Sequence, residues 1–181
     1  MTTPLDDGDG DGAVALAPRP ASASHTVTNT WMEIEHANNA GNVHGGVIMR
    51  LVDTAAGIAA VRHCRGRVVT AALDEMIFIS PIYIGDLVTV TAAVNDAHRT
   101  SMEVGVTVVA EDVASGEKRV VSNAHLIFVA LDDAGKPTPV SPVLAETDVE
   151  KTRQTQARVR RDQRLVRKAA LMRAVEATGL S

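Results

Sequence analysis

The stretch GNVHGGVIMRLVDTAAG (41–57) combines residue types at a spacing that chemistry can use. Asn42 and His44 precede the pair Gly45 and Gly46, and an apolar run is then broken by Asp53. Burying a carboxylate costs on the order of several kcal/mol unless it is paired, hydrogen-bonded or neutralised. Asp53 therefore either closes an internal network or takes part in a reaction, as a general base for water or as a nucleophile. Gly45 and Gly46 lack side chains, so an electron-rich oxygen can come close to backbone N–H groups at a helix start, where the potential is positive. Asn42 adds an amide in front of that start.

Each of these residues also has a plain structural use. Asp53 can be a structural acid satisfied across a subunit interface, Asn42 a turn residue tolerant of left-handed backbone, and the two glycines a tight entry to a helix. His44 reads as a loop or interface residue in preference to a base. Cys64 follows Arg62 and His63, but adjacent helical residues point apart, so it reads as a packed thiol and not as half of a Cys–His pair. His125 reads as a satisfied strand histidine. No G-x-S-x-G, H-E-x-x-H or Walker sequence occurs, so serine hydrolase, zinc protease and nucleotide hydrolase chemistry have no local support.

The elements that must position these residues follow from periodicity. HTVTNTWMEIE (25–35) alternates as a strand, and HANNAGNVHGG (36–46) is a Gly- and Asn-rich loop. Residues 46–63 read as a helix that is apolar on nearly every side and hence buried. Four strands rich in β-branched residues follow at 67–79, 86–95, 101–111 and 118–131, joined by the short turns SPIYIG, DAHRT and DVASGE. Short connections favour antiparallel neighbours, and a sheet wrapped around the helix gives an α+β architecture. DDAGKPTPVSPVL (132–144) is a Pro-rich connector, and residues 146–177 form a long helix with a thin apolar stripe.

Composition sets the limits. The chain has 181 residues, 45% hydrophobic but only 2% aromatic, so its core is aliphatic and it has no aromatic platform for single-stranded nucleic acid. Its net charge of −4 is uneven: residues 146–177 carry nine Lys and Arg (among them Arg158, Arg160, Arg164 and Arg167) and a net charge of +4, against −8 for the rest. That distribution makes no general case for nucleic-acid binding. The longest apolar run, 47–61, falls short of a membrane span of about 20 residues and holds Arg50 and Asp53. The single cysteine excludes an internal disulfide, and with no secretory signal the expected setting is cytoplasmic. Residues 1–23 are expected to be a disordered tail, 24–145 the folded domain and 146–181 a basic helical extension. Within the tail DGDGDG imitates a calcium loop, but its twelfth position is Pro18 and not Glu.

The order of elements, with GNVHGG, LVDTAAG and RHC, then FISPIYIGD and HRTSMEV, resembles the hotdog-fold acyl-CoA thioesterases, above all the brain-type acyl-CoA hydrolase and its bacterial relatives. The likeness covers roughly residues 25–145. It implies a hotdog domain that hydrolyses acyl-CoA to free fatty acid and coenzyme A, with no metal or cofactor needed. It matches Asn42 and Asp53 to the catalytic pair of the family, with Gly45 and Gly46 as amide donors. It places Arg99, Thr100 and Ser101, at a hairpin turn, near the nucleotide end of coenzyme A, with Arg62, His63 and Arg65 as further cations. With one repeat in place of two, it implies a homodimer with two complete sites, often assembled as a trimer of dimers. Geometry agrees: if the helix begins near Gly45, Asp53 lies roughly 12 Å along its axis. Asn42 of one chain would then meet Asp53 of another. The alternatives are a non-catalytic acyl-CoA-binding hotdog module and a hotdog hydratase or dehydratase acting on acyl thioesters.

Overall fold

The computed structural model describes residues 16–178. In chain order the elements are β1 (Arg19–Pro20), β2 (Thr26–Trp31), α1 (Gly45–Cys64), β3 (Arg67–Phe78), β4 (Asp86–Ala97), β5 (Ser101–Asp112), β6 (Glu117–Leu131), β7 (Val143–Leu144) and α2 (Asp148–Thr178). Five of the strands form one antiparallel sheet in the order β2-β4-β5-β6-β3. This is the α+β hotdog architecture, with α1 on one face of the sheet and α2 on the other.

Alternation along the strands creates the α1 face. Val88, Val90, Ala92 and Val94 of β4, Val104, Val106 and Val108 of β5, and Ala124, Leu126 and Phe128 of β6 are all buried toward α1. The helix answers with Val52, Ala55, Ala56, Ala59 and Ala60, each 0% exposed. Alanines at these positions let the helix axis approach the sheet closely and lose no side-chain entropy.

The opposite side of α1 departs from the all-round burial expected of it. Met49, Asp53, Ile58 and Val61 are exposed in the single chain. Periodicity registers that a face is apolar, but it does not register whether the cover is the helix's own sheet or another molecule. Next to this open face runs β3, an edge strand with Val69, Leu73, Ile77 and Phe78 exposed.

The domain also starts earlier than residue 24. Of the expected tail, residues 1–15 lie outside the described residues, but Arg19–Pro20 pair in parallel with Val143–Leu144. Ala21–Ser24 form a 3₁₀ turn in which Ala21 and Ser24 are buried. The Arg19 guanidinium donates to the His63 carbonyl at 2.7 Å, and Val94 N–H donates to Ser24 Oγ at 2.9 Å. A Pro-, Ala- and Ser-rich run looks like linker by composition, yet here it closes the domain against the segment that ends it.

Helix α2 docks on the outer face by charge more than by apolar contact. Asp96 on β4, Glu103 on β5 and Asp74 on β3 have side chains between 4% and 7% exposed. Arg158 reaches Asp96 at 3.3 Å, Arg160 reaches Glu103 at 2.6 Å, and Arg164 and Arg167 each reach Asp74 at 2.7 Å. Ala157 is buried beneath the first half. The excess of arginine in this helix is thus spent on three buried carboxylates that would be costly unpaired. A second polar contact sits below: Asn95, beside the β4 irregularity, donates to Glu103 at 3.2 Å. A Cβ at Gly105 would come within 2.5 Å of that amide, so a larger residue there would displace Asn95 from Glu103.

Candidate active site

The loop before α1 is organised by Asn38. Its Oδ1 accepts from Ala40 N–H at 2.8 Å and from Asn42 N–H at 3.2 Å, while its backbone N–H donates to Asn42 O at 2.7 Å. Gly41 takes the left-handed backbone at φ 83°, which closes the turn. The Asn42 side-chain amide makes no hydrogen bond among the described residues. It faces a hollow of about 400 Å³ with Asn38, Gly45, Ile48 and Phe78.

Helix α1 then begins at Gly45 with His44 as its N-cap, as the glycine pair implied. His44 Nδ1 accepts from Gly46 N–H at 2.9 Å, so that ring carries any neutral-state proton on Nε2. His44 is therefore a capping residue. The cap also takes the Gly46 amide out of service as a donor to a ligand, whereas the Gly45 N–H has no partner among the described residues.

Asp53 lies two turns along, on the open face. Its Oδ1 accepts from Thr70 Oγ1 on β3 at 2.8 Å. Together they line a separate hollow of about 450 Å³ with Gly57, Ile58, Arg62, Val68 and Phe128. Gly57, one turn beyond Asp53, faces Phe128, whose ring a Cβ there would meet at 3.7 Å. Asp53 is therefore not desolvated in the core of its own chain; it stands at the surface, in an apolar setting that one chain leaves uncovered. Thr70 was not marked by sequence reasoning, because a threonine in a β-branched strand carries no signal of its own.

The remaining candidates divide. Arg62 stands at the rim of the Asp53 hollow, where its guanidinium donates to His25 O and to Thr26 Oγ1. Arg99 and Thr100 lie in the turn between β4 and β5 and Ser101 opens β5; Arg99 is exposed and the other two are half-buried. The turn backbone is held by Val140 N–H donating to Arg99 O at 3.0 Å and by Ala130 N–H donating to Thr100 O at 2.9 Å. Ser101 pairs with Val129, which pairs with Val69, so this turn lies at the end of the sheet where α1 finishes and β3 begins. His63 does not belong with them. It is 0% exposed, its Nε2 lies 2.8 Å from Ser141 O, and burial lowers its pKa from 6.5, so it is a neutral core group and no anchor for phosphate. His125 is only partly satisfied: its Nδ1 lacks a hydrogen bond and stands 3.9 Å from Glu75.

The structure thus brings Asp53 and Thr70 together at one place, and Asn38, Asn42 and the Gly45 amide at another. A carboxylate oriented by a hydroxyl can hold and deprotonate water, and an amide cluster at a helix start can receive developing negative charge.

Comparison with known proteins places this arrangement. The thioesterase superfamily profile matches residues 40–117. The "uncharacterized acyl-CoA thioester hydrolase YkhA" of Bacillus subtilis is 42% identical over 113 residues, covering 62% of this chain and 66% of that protein. The chain spans about two thirds of that relative and as little as 22% of longer mammalian ones. Among solved structures, an acyl-CoA hydrolase of Staphylococcus aureus, in complex with butyryl coenzyme A, coenzyme A and coenzyme A disulfide, is 34% identical with a TM-score of 0.83, covering 89% of this chain and 98% of that one. The same enzyme has been solved with alanine replacing an aspartate, an asparagine and a threonine. An apo-hexameric acyl-CoA thioesterase is 32% identical with a TM-score of 0.83, covering 85% of this chain and 99% of that one. No helix among the described residues is long and apolar enough to cross a membrane. With a fold and a sequence shared across almost the whole length of these hydrolases, the chain belongs to the thioesterase superfamily.

Proposed function

We propose that the protein hydrolyses acyl-CoA thioesters at a site shared between two copies of the chain. One observation carries the reading: Asp53 and Thr70 stand on an open apolar face bordered by an unpaired edge strand, apart from the amides that would complete the site. Pairing of two β3 edges would extend the sheet and lay two α1 helices side by side, so that the helix start of one chain comes to Asp53 of the other. Hexameric assembly of a relative supports such contacts.

In this reading the Asp53 carboxylate, held by Thr70, takes a proton from a water molecule whose oxygen attacks the thioester carbonyl. Negative charge gathers on the carbonyl oxygen, where the Gly45 N–H and an asparagine amide receive it. The C–S bond then breaks, and the coenzyme A thiolate leaves with the proton that Asp53 returns. Two asparagines can serve. In the Staphylococcus enzyme the altered aspartate follows the altered asparagine by fifteen residues, and the threonine follows by seventeen more. The same spacing here joins Asn38, Asp53 and Thr70, which supports Asn38, and not Asn42, as the polarising amide. Asn42 then shapes the hollow. Coenzyme A would leave toward the Arg99–Ser101 turn, with Arg62 at the rim. The name of the rat relative, a cytosolic acyl coenzyme A thioester hydrolase, supports a cytoplasmic setting.

The test is thiol release from short to long acyl-CoAs by the wild type, Asp53→Asn, Asn38→Ala and Asn42→Ala. Turnover that falls about 100-fold in the first two variants, and far less in the third, supports these roles. Binding of acyl-CoA without any thiol release by the wild type means a binding module, and hydration of an enoyl-CoA means a hydratase.

A further inference from the structure

Helix α2 is longer than the sheet it covers. Its ion pairs cross the strands in spatial order, from Arg158 with Asp96 on β4, through Arg160 with Glu103 on β5, to Arg164 and Arg167 with Asp74 on β3. From Arg158 to Arg167 the helix rises about 13.5 Å, which matches the roughly 14 Å spanned by three strand spacings from β4 to β3. β3 is the edge. Residues 168–178 therefore continue the helix by about 16 Å beyond its last ion pair with β3, and of these Lys168 to Ala174 are exposed.

That overhang has an apolar underside. The side of α2 turned to the sheet carries Ala157, Arg160, Arg164 and Arg167, and one turn further on the same side is Leu171, which is 64% exposed. Met172 on its flank is 50% exposed. A projecting helical end of this length holds little stability alone, and large apolar side chains on it mark a contact surface.

We infer that the last eleven helical residues of α2 are a strap that crosses the dimer seam and lies on the outer face of the partner's sheet. The inference rests on the β3-edge dimer proposed above. That pairing places a second β3 where the overhang begins, continuous with the surface α2 already covers. The outer face of β3 presents Val69 and Ile77, 46% and 53% exposed, and the half-exposed carboxylate of Glu75. In the second copy part of this face would meet Leu171 and Met172, with Lys168 supplying the opposite charge. The strap would thereby tie the stability of the shared site to a helix that touches no substrate.

The experiment uses the full chain, a chain ending after Arg167, Leu171→Asp and, on the outward side of the helix, Val166→Asp (Val166 is 71% exposed). Truncation removes none of the four arginines that hold α2, so the fold stays. Sedimentation equilibrium should show dimer affinity weakened about tenfold to 100-fold by truncation and by Leu171→Asp, and unchanged by Val166→Asp. A photo-crosslinking amino acid at position 171, in a mixture of isotopically light and heavy protein, should join light to heavy peptides from β3 or its neighbour β6. A dimeric protein whose affinity ignores Leu171 and the truncation, or whose crosslinks stay within one isotope, overturns the strap and leaves the dimer standing. A chain that is monomeric at every concentration overturns the shared site itself.

Discussion

Mixing two inactive variants tests the shared site most directly. Asp53→Asn removes the proposed base, and Asn38→Ala removes the proposed polarising amide at the other end of α1. In a single chain the two groups line different hollows, and the helix between Gly45 and Asp53 rises about 12 Å, so no carbonyl touches both. Each parent should lose about 100-fold in turnover, since every site it forms is defective. When the two are mixed and allowed to exchange subunits, about half the dimers are mixed, and each of those has one site carrying both substitutions and one carrying neither. Activity should therefore return to about a quarter of wild type, some 25-fold above either parent. The assay is thiol release during exchange, with the mixed species followed by native mass spectrometry on differently tagged chains. Activity that stays at the parental level while mixed dimers are present would refute the reasoning, because it would mean that each chain carries its own complete site.

Further outcomes are expected elsewhere. Thr70→Val leaves Asp53 without its 2.8 Å hydrogen bond, and kcat should fall about tenfold with KM and assembly little changed, as read by steady-state kinetics. Arg160→Met leaves the 4% exposed Glu103 with Asn95 and, at 4.0 Å, Arg164, and should cost about 2–4 kcal/mol in urea unfolding. The double change Arg160→Met with Glu103→Leu should cost less than Arg160→Met alone, because no charge is then left buried. Burial holds the pKa of His63 below 6.5, so the unfolded chain binds the proton more readily than the folded one. Stability is then flat above pH 6.5 and falls as pH drops below it, by up to about 1.4 kcal/mol per pH unit for this histidine. His98 and His125, shifted the same way by burial, steepen the fall, and melting temperatures between pH 7.5 and 5.5 would show it.

Much of the fold is legible because it rests on local patterns. Alternating β-branched runs and Gly- or Asp-rich turns place β3 to β6 within a few residues, and the glycine pair places the start of α1. What escapes is whatever depends on contacts distant in sequence. Asp74, Asp96 and Glu103 sit on three strands and become one acidic strip only when those strands pair, so the purpose of the arginines in α2 is hidden until then. His63 lies among basic residues in the sequence, yet helical phase turns it into the core beside Ser141. Asp53 stands out as a carboxylate in an apolar run, but its partner Thr70 and its exposure both depend on how the chain is folded and what covers it. Asn38 and Asn42 look alike in the loop: hydrogen bonds show that Asn38 Oδ1 shapes the turn, and only the spacing to Asp53 and Thr70 shared with a relative favours Asn38 for the reaction.

The parallel pairing of Arg19–Pro20 with Val143–Leu144 has a consequence for how such a domain can be built into larger proteins. Where the chain enters the unit of sheet and α1 and where it passes on to α2 are stitched together, so that unit is a closed loop with adjacent ends. A second copy following in the same polypeptide would be joined through α2, whose 31 residues give the connection its reach. Fusion of that kind would replace a concentration-dependent encounter by a tethered one and raise the effective concentration of each edge strand for the other. The short parallel pair would thus let the unit of sheet and α1 be repeated while its interior stays unchanged.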